Sequence, residues 1–357
     1  MLERRTGFFM CAAALTALLF SNLSAQGRRM EGPLDVVPLR GDLKLMLMEP
    51  AGNVLVSAGK DGALIIDDQF APMTPQILTA VAKLTDEPIR YLFNTHWHSD
   101  HTGGNANFGN EGIVIVAHDN VRERLTTEQF HLMFKARSAA RPPEALPVIT
   151  YSQSMTFHFN DDTIDVVHVP LAHTDGDTVF YFRNADVLHT GDAFISGGYP
   201  LIDVASGGSI KGQIEATQTM IDMIGDNTIV VSGHGPLANR DRLIEVRDML
   251  MTARSNVLEL IDQGLTLREI KAAKPLQELN ANWGMGFVKA KTFITIIYQS
   301  ETGDWVKPPN MPLAEYAQSA HYFFVAASQV PFFRRKRSAF LQKIPSICFS
   351  VRKSAEV

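Results

Sequence analysis

Short apolar runs alternate with polar turns along most of this chain. From Leu34 to Asp68 the apolar runs are separated by Gly41, Gly52, Gly59 and Gly62, a pattern that predicts strands joined by tight turns. The spacing of Ile77, Val81 and Leu84 places them on one face of a helix predicted over 75–84. Further helices are predicted over 119–124, 214–224, 243–261, 267–273 and 287–298. The chain therefore mixes strands and helices in one α+β fold.

Four predicted strands are each followed by a loop that holds histidine or aspartate. These strands lie over 89–93, 164–169, 187–188 and 228–231. The loops that follow them hold, in the same order, His96, His173, Asp192 and His234. Side chains at strand exits are held by a rigid scaffold and stay within reach of a ligand. This rhythm predicts a functional site built from strand exits.

The first 25 residues have the pattern of a signal peptide. Arg4 and Arg5 are followed by an apolar run from Phe8 to Phe20, and Ser24-Ala25 offers a cleavage site of small residues. The run is shorter than the roughly 20 residues that span a bilayer, so we expect no stable membrane span. We predict a signal peptide over 1–25 and a periplasmic or secreted mature protein. The alternative is a buried N-terminal helix. The arginine pair is a weak hint of the twin-arginine export route.

The character of the chain changes again near its C-terminal end. Pro308, Pro309 and Pro312 interrupt it, and the segment from Pro331 onward has seven Lys/Arg against one Glu. We predict a main domain over 34–302 and an appended, basic, poorly ordered tail over 303–357. The alternative is that the tail contacts an anionic membrane surface.

Composition narrows the class of protein without naming a function. The 357 residues are 45% hydrophobic and 20% charged, as in ordinary globular proteins, and the formal net charge of −5 gives no reason to expect a nucleic acid as partner. Cys11 lies in the predicted signal, which leaves Cys348 alone in the mature chain. This predicts neither an internal disulfide nor a cysteine-rich metal site. A small-molecule substrate fits best, and the oligomeric state is left open.

The segment Thr95-His96-Trp97-His98-Ser99-Asp100-His101-Thr102-Gly103-Gly104 carries the candidate chemistry. It holds three histidines and an aspartate within six residues. In an extended segment, His96 and His98 face the same side, and Asp100 has the same parity, whereas His101 points elsewhere toward a second ion. Neutral imidazole and carboxylate are ligands that zinc favours. The alternative, a histidine-rich surface loop or a set of core histidines, explains such a dense cluster less well.

This segment resembles the signature of the metallo-β-lactamase superfamily, and the later motifs of that family follow in order. His173 lies in Ala172-His173-Thr174-Asp175-Gly176, Asp192 in Thr190-Gly191-Asp192, and His234 in Ser232-Gly233-His234-Gly235. The resemblance spans roughly residues 34–300 and implies a four-layered αβ/βα sandwich.

The resemblance also implies how the site is divided and how it works. One ion would be held by His96, His98 and His173, the other by Asp100, His101 and His234, with Asp192 between them. Two zinc ions are expected, with iron or a mixed pair as alternatives. A metal-bound hydroxide would attack a carbonyl carbon, and Asp100 would orient this nucleophile as the catalytic carboxylate. Asp67, Asp68 and Asp177 are candidates to hold the outer imidazole nitrogens, or else they cap turns.

Four functions fit these residues, and one leads. At the position of Asp192, which would bridge the two ions, β-lactamases of the superfamily have a cysteine or a serine. In this chain, no positively charged residue follows Asp192 before Lys211. The aspartate bridge is similar to that of glyoxalase II and related hydrolases. We therefore expect an exported binuclear zinc hydrolase that cleaves an ester, thioester, lactone or amide bond. The alternatives are a β-lactamase, a mononuclear iron persulfide dioxygenase and a non-catalytic binding protein of the envelope.

Other aromatic side chains have no predicted chemistry. Trp97 either lines the substrate pocket or packs. His168 and His189 are interpreted as structural, and His118 as a solvated or capping residue.

Overall fold

The computed structural model describes residues 34–47 and 52–305. The predicted signal peptide and nearly all of the predicted basic tail lie outside these residues. The strands are Asp35–Pro38 (β1), Leu43–Leu47 (β2), Val54–Gly59 (β3), Gly62–Ile66 (β4), Ile89–Phe93 (β5), Val114–His118 (β6), Gln129–His131 (β7), Ala136–Ser138 (β8), Ile149–Tyr151 (β9), Ser154–Phe159 (β10), Asp162–His168 (β11), Thr178–Phe182 (β12), Val187–His189 (β13) and Ile229–Val231 (β14).

The helices lie between and after these strands. They are Thr74–Val81 (α1), Ser99–Thr102 (α2), Asn105–Asn110 (α3), Asp119–Leu125 (α4), Ile210–Met223 (α5), Arg240–Asp262 (α6), Leu267–Ala273 (α7), Asn280–Trp283 (α8) and Ala290–Thr302 (α9). Among the described residues, none of them combines the length and the apolar character needed to cross a membrane.

Two sheets form the centre of the molecule. The first has the strand order β1-β2-β3-β4-β5-β6-β9, antiparallel up to β4 and parallel from there on. The second has the order β10-β11-β12-β13-β14, with only the last pair parallel. A separate hairpin, β7-β8, belongs to neither sheet.

Residue alternation along β4 shows how the layers are built. Successive side chains of a strand point to opposite faces of its sheet. Leu64 and Ile66 belong to a core that also contains residues of the second sheet, whereas Ala63 and Ile65 belong to a core shared with α1. The contact between the sheets includes Phe93 and Phe180, whose ring centroids are 5.6 Å apart.

The outer face of the second sheet is covered in the same way by helices. Val179 of β12, Leu188 of β13 and Val230 of β14 share a buried core with residues of α5, α6, α7 and α9. The order of layers is therefore helix, sheet, sheet, helix. This confirms the predicted α+β class and the αβ/βα sandwich.

Candidate metal centre

Loops at the ends of strands bring the seven predicted ligands together. His96 and His98 lie in the loop after β5, and Asp100 and His101 follow in the short helix α2. The other three ligands come after strands of the second sheet: His173 follows β11, Asp192 follows β13 and His234 follows β14. The site therefore lies at one edge of the sandwich and takes ligands from both halves of the fold.

His96, His98 and His173 form the first group of ligands. One ring nitrogen from each lies within 4.8 Å of the others, and all three residues are buried. Nδ1 of His98 faces Nε2 of His173 at 2.9 Å. The rings of His96 and His98 lie 4.8 Å apart, which is consistent with the prediction that they face the same side.

Asp100, His101 and His234 form the second group, again with ligand atoms within 4.8 Å of one another. Nε2 of His101 lies 3.3 Å from Nε2 of His234, which is 3.1 Å from Oδ2 of Asp100. Asp100 lies in the first turn of α2 rather than in extended chain, so it does not share the side of His96 and His98 that an extended segment would give it. It lies instead with His101 and His234, the group that the family resemblance implies.

Asp192 lies between the two groups. Its Oδ2 is 3.8 Å from Nε2 of His173 and 3.4 Å from Nε2 of His234, while its Oδ1 is 3.4 Å from Nε2 of His101. A Cβ on Gly233 would lie 2.1 Å from Oδ1 of Asp192, so only glycine allows this close approach. This is the position that a bridging carboxylate requires.

The outer nitrogens of two histidines donate to buried carboxylates. Nε2 of His98 donates to Asp203 at 3.0 Å, and Nδ1 of His101 donates to Asp67 at 2.7 Å. Asp67 has a φ of 62°, a left-handed conformation that non-glycine residues rarely adopt and that is often found at functional sites. Because the outer nitrogen of each ring donates to a carboxylate, the opposite nitrogen, which faces the cluster, is the one available to bind a metal ion.

The remaining two imidazoles of the first group are oriented by oxygen acceptors as well. Nδ1 of His173 donates to the carbonyl oxygen of Leu201 at 2.7 Å. Thr95 Oγ1 donates to Asp67 and lies 3.0 Å from Nδ1 of His96, so this nitrogen donates to the hydroxyl. In both rings Nε2 is left as the nitrogen with a free lone pair.

The three carboxylates predicted to orient imidazoles have different roles. Asp67 holds His101, as predicted. Asp68 instead accepts from the backbone N–H of Gly104, and Asp177 accepts from the backbone and hydroxyl of Thr174. Both are buried turn caps. The sequence does not predict the role of Asp203, because nothing in its local sequence marks it and only the tertiary structure brings it to His98.

Electrostatics separates the two groups of ligands. Burial lowers the pKa of His96 and His173, and neighbouring imidazoles lower it further. Burial acts in the same direction on His101, but Asp192, Asp100 and Asp67 outweigh it and raise the pKa of His101 to about 9. For Asp192, burial raises the pKa, yet His234 and His101 hold it well below its usual range. The side of His96 and His173 therefore favours neutral imidazole, whereas on the side of His101 the negative charge of the carboxylates outweighs burial.

Several buried polar atoms at the centre have no hydrogen-bond partner among the described residues. They include Nε2 of His96, Oδ1 of Asp100 and Oδ1 of Asp192. An unsatisfied buried acceptor costs about 1–3 kcal/mol, and more when it is charged. A cation satisfies such lone pairs, so the nitrogen and oxygen donors fit one or two divalent metal ions.

The other aromatic residues of the prediction have structural roles. Trp97 is only 1% exposed and packs against the rings of both His98 and His131, so of its two predicted roles packing is the observed one. His118 caps α4 by accepting from Asn120 N–H, but it is buried rather than solvated. It stacks on His168 at 3.7 Å.

Comparison with known proteins places this arrangement in a family. The sequence model of the metallo-beta-lactamase superfamily matches residues 49–272. The lactamase-like protein aptB of Emericella nidulans is 26% identical over 165 residues, which cover 46% of this chain and 47% of that protein. A hydroxyacylglutathione hydrolase of Pelagibacter ubique is 26% identical over 153 residues, 42% of this chain and 53% of that one. The chain thus spans about half the length of these relatives.

Solved structures share the fold at low sequence identity. The sec-alkylsulfatase Pisa1 of Pseudomonas sp. superposes with a TM-score of 0.59 at 18% identity, over 78% of this chain and 52% of its own. A metallo-beta-lactamase of Pontibacter korlensis gives a TM-score of 0.50 at 19% identity, over 61% of this chain and 99% of its own. These likenesses support the fold alone, because proteins with different substrates share it.

Proposed function

This chain belongs to the metallo-beta-lactamase superfamily, and we propose that it is an exported binuclear zinc hydrolase of an ester, thioester, lactone or amide bond. The observation that carries the proposal is the convergence of seven histidine and aspartate side chains from both sheets, several of whose buried ligand atoms have no hydrogen-bond partner in the part of the chain that the structure describes. Buried polar groups without partners are costly, which favours a bound metal over a non-catalytic role.

The residues divide the work between two metal positions. His96, His98 and His173 would hold one cation, Asp100, His101 and His234 the other, and Asp192 would contact both. When bound, such a pair supplies Lewis acidity, which polarises a carbonyl oxygen and makes water a stronger acid at neutral pH. The mixed imidazole and carboxylate donors favour zinc over hard cations.

Asp100 is the candidate for proton handling. Its carboxylate is 1% exposed, and its Oδ1 has no hydrogen-bond partner among the described residues. His101 and His234 keep the pKa of this carboxyl below its usual range against the opposing effect of burial. An ionised carboxylate in this position can orient an attacking water and accept its proton at Oδ1.

Asp192, at the position between the two ligand groups, favours the proposed function over β-lactam hydrolysis. Phe194 and Ser196, which follow Asp192, are buried and carry no charge, so this stretch offers no cation for a substrate carboxylate.

The proposal that the protein is exported rests on the pattern of residues 1–25. Cell fractionation tests it independently of activity, and a protein retained in the cytoplasm would contradict it.

Metal quantification combined with a substrate panel tests the activity. We expect two zinc ions per chain and turnover of at least one ester, thioester, lactone or amide. One iron per chain with oxygen uptake would favour the dioxygenase, and selective β-lactam turnover would favour the β-lactamase. Metal-replete protein that turns over nothing in the panel would favour a binding protein.

Asp192→Ala tests the bridge. We expect lower occupancy of both metal positions, measured as metal per chain after dialysis, because this side chain approaches ligands of both groups. Asp68→Ala is the control, since Asp68 is also a buried carboxylate but its side chain accepts from the backbone N–H of Gly104. An Asp192→Ala protein that keeps two metals and its full rate would refute the bridge.

A further inference from the structure

A cavity of about 330 Å³ begins beside the candidate metal centre. His98 and Ser99 of the ligand loop form one end of its lining. The tip of the β7-β8 hairpin forms a second wall, and α7 and α9 contribute the far side. Cavities of this size suit small ligands. A molecule in this cavity would reach from His98 toward the C-terminal helices.

Most of the cavity wall is apolar. Leu132, Met133 and Phe134 come from the hairpin tip, Leu201 and Ile202 from the segment before Asp203, and Ile296 from α9. Asp203 is the one acidic residue in the lining, and it already accepts from His98 and from the hydroxyl of Ser206. The wall therefore favours an aliphatic or aromatic group on the ligand.

Three lysines line the same cavity. Lys271 comes from α7, Lys291 from α9 and Lys135 from the hairpin. Within residues 34–47 and 52–305, none of the three forms an ion pair. Lys271 is partly buried, and both this burial and the positive charge of Lys291 lower its pKa. Two lysines that line one cavity, with no ion pair to a described carboxylate, repel each other less when an anion lies between them.

From the apolar wall and the unpaired lysines, we propose that this cavity binds a substrate with an apolar chain that ends in an anionic group. Lys271 and Lys291 would hold the anion, a carboxylate or a phosphate, and the other end of the substrate would pass His98, the one of the seven ligands that lines the cavity, toward the metal centre. The inference rests on the proposed hydrolase function and narrows it to one class of substrate. The lysines act as specificity residues and take no part in bond cleavage.

Three esters of equal length test the charge preference on the zinc-loaded, full-length protein. They are p-nitrophenyl hexanoate, the p-nitrophenyl monoester of adipic acid, and the analogue that ends in a phosphonate. We expect an about tenfold lower KM for at least one anionic ester than for the neutral one. In the Lys271→Gln/Lys291→Gln double variant this advantage should disappear, because the two ammonium groups that hold the anion are gone.

Matched variants separate charge from structure. Lys289→Gln removes a charge from an exposed lysine near the start of α9 that does not line the cavity, so it should keep the preference. Lys271→Arg/Lys291→Arg keeps both charges and should also keep the preference. Equal KM values for neutral and anionic esters, or a preference that survives in the double glutamine variant, would overturn the inference.

Direct binding distinguishes failure of this inference from failure of the proposed function. Calorimetric titration of the same proteins with hexanoate, hexyl phosphate and 1-hexanol requires no hydrolysis. Tighter binding of an anion, weakened about tenfold in the double glutamine variant, would support the anion site even if no ester is cleaved. If the double glutamine variant binds the anions as tightly as the wild-type protein, the anion lies elsewhere, for example at the metal centre, and the proposal is contradicted.

Discussion

At the scale of single residues, the outer nitrogen of each imidazole decides what the inner nitrogen can do. His98 and His101 donate to Asp203 and Asp67, which fixes their tautomers and makes the opposite nitrogen a stronger metal ligand. These carboxylates are 7% and 1% exposed, so little water competes with the hydrogen bonds. Metal affinity should therefore depend on residues that never contact a metal.

Asp203→Asn should weaken one metal position by about tenfold, because a neutral amide is a weaker acceptor and makes His98 a poorer ligand. Competition with a chromophoric chelator measures the two dissociation constants. The constant of the position formed by His96, His98 and His173 should rise, and the other should stay close to its original value.

Asp67→Asn is the matched experiment for the second position. It should weaken the position of His101 more strongly than that of His98, because Asp67 accepts directly from His101. It also accepts from the backbone of Thr95, so its effect on stability should be the larger of the two. Identical changes in both constants for both variants would contradict this assignment.

At the scale of elements, the sequence predicted best what depends on local pattern. The predicted strands over 89–93 and 228–231 correspond to β5 and to β14 (Ile229–Val231), and the helix over 267–273 has the same bounds as α7. Apolar periodicity and flanking turn residues determine such elements, so the strand exits that carry His96 and His234 could be located from the sequence.

Elements that depend on tertiary contacts could not be predicted. The β7-β8 hairpin has strands of three residues and pairs with neither sheet, so no long alternating pattern marks it. Its position depends on contacts such as that of His131 with Trp97. Asp203 lies 105 residues after His98 along the chain, and no local sequence pattern connects the two.

Thr266→Ala should lower the free energy of unfolding by about 1 kcal/mol through loss of a helix cap. Thr266 accepts from the backbone of Glu269, whose side chain accepts in turn from the backbone of Thr266 at the start of α7. Urea denaturation measures the change. Thr252→Ala, on an exposed position within α6, removes no cap and should be neutral or slightly stabilising. Equal losses for the two variants would contradict the capping argument.

At the scale of the whole molecule, the two sheets are also joined at strand ends opposite those that carry the ligand loops, since Asp186 precedes β13 and Asp192 follows it. Arg40, between β1 and β2, pairs with Asp186, between β12 and β13, at 2.7 Å. Asp186 also accepts from the hydroxyls of Thr228 and Tyr181. Asp186→Asn should lower the free energy of unfolding at pH 7 by about 1 kcal/mol, a value kept small because the pair is partly exposed.

The pH dependence of this loss has a defined sign. Burial raises the pKa of Asp186, but its hydrogen bonds from Thr228 and Arg40 outweigh burial and lower it. The stabilisation is therefore complete above the unfolded pKa of about 4 and is lost as pH falls through the lower folded value. Urea denaturation should show a smaller difference in the free energy of unfolding between the wild-type and Asp186→Asn proteins at pH 3 than at pH 7. Asp161→Asn, in the exposed Lys60 pair, should change stability little at either pH.

The candidate metal centre joins the same two halves from the opposite direction, since four ligands follow β5 of the first sheet and three follow strands of the second. An unfolded chain cannot hold these side chains together, so metal binding should stabilise the fold. Metal at about 100 times its dissociation constant adds about 2.7 kcal/mol per position. For a domain of this size, each kcal/mol shifts Tm by about 2–4 °C.

Chelation should therefore lower the Tm of the purified protein by about 5–10 °C for one strongly bound ion, and by more for two. Without a cation, Oδ1 of Asp100 and Oδ1 of Asp192 lack hydrogen-bond partners among the described residues, which adds to the loss. Returning zinc should restore Tm, and Asp192→Ala should show a much smaller response to chelator because it holds less metal from the start. If metal-free protein has the same Tm as zinc-loaded protein, metal binding at these ligands does not stabilise the contact between the two halves of the fold.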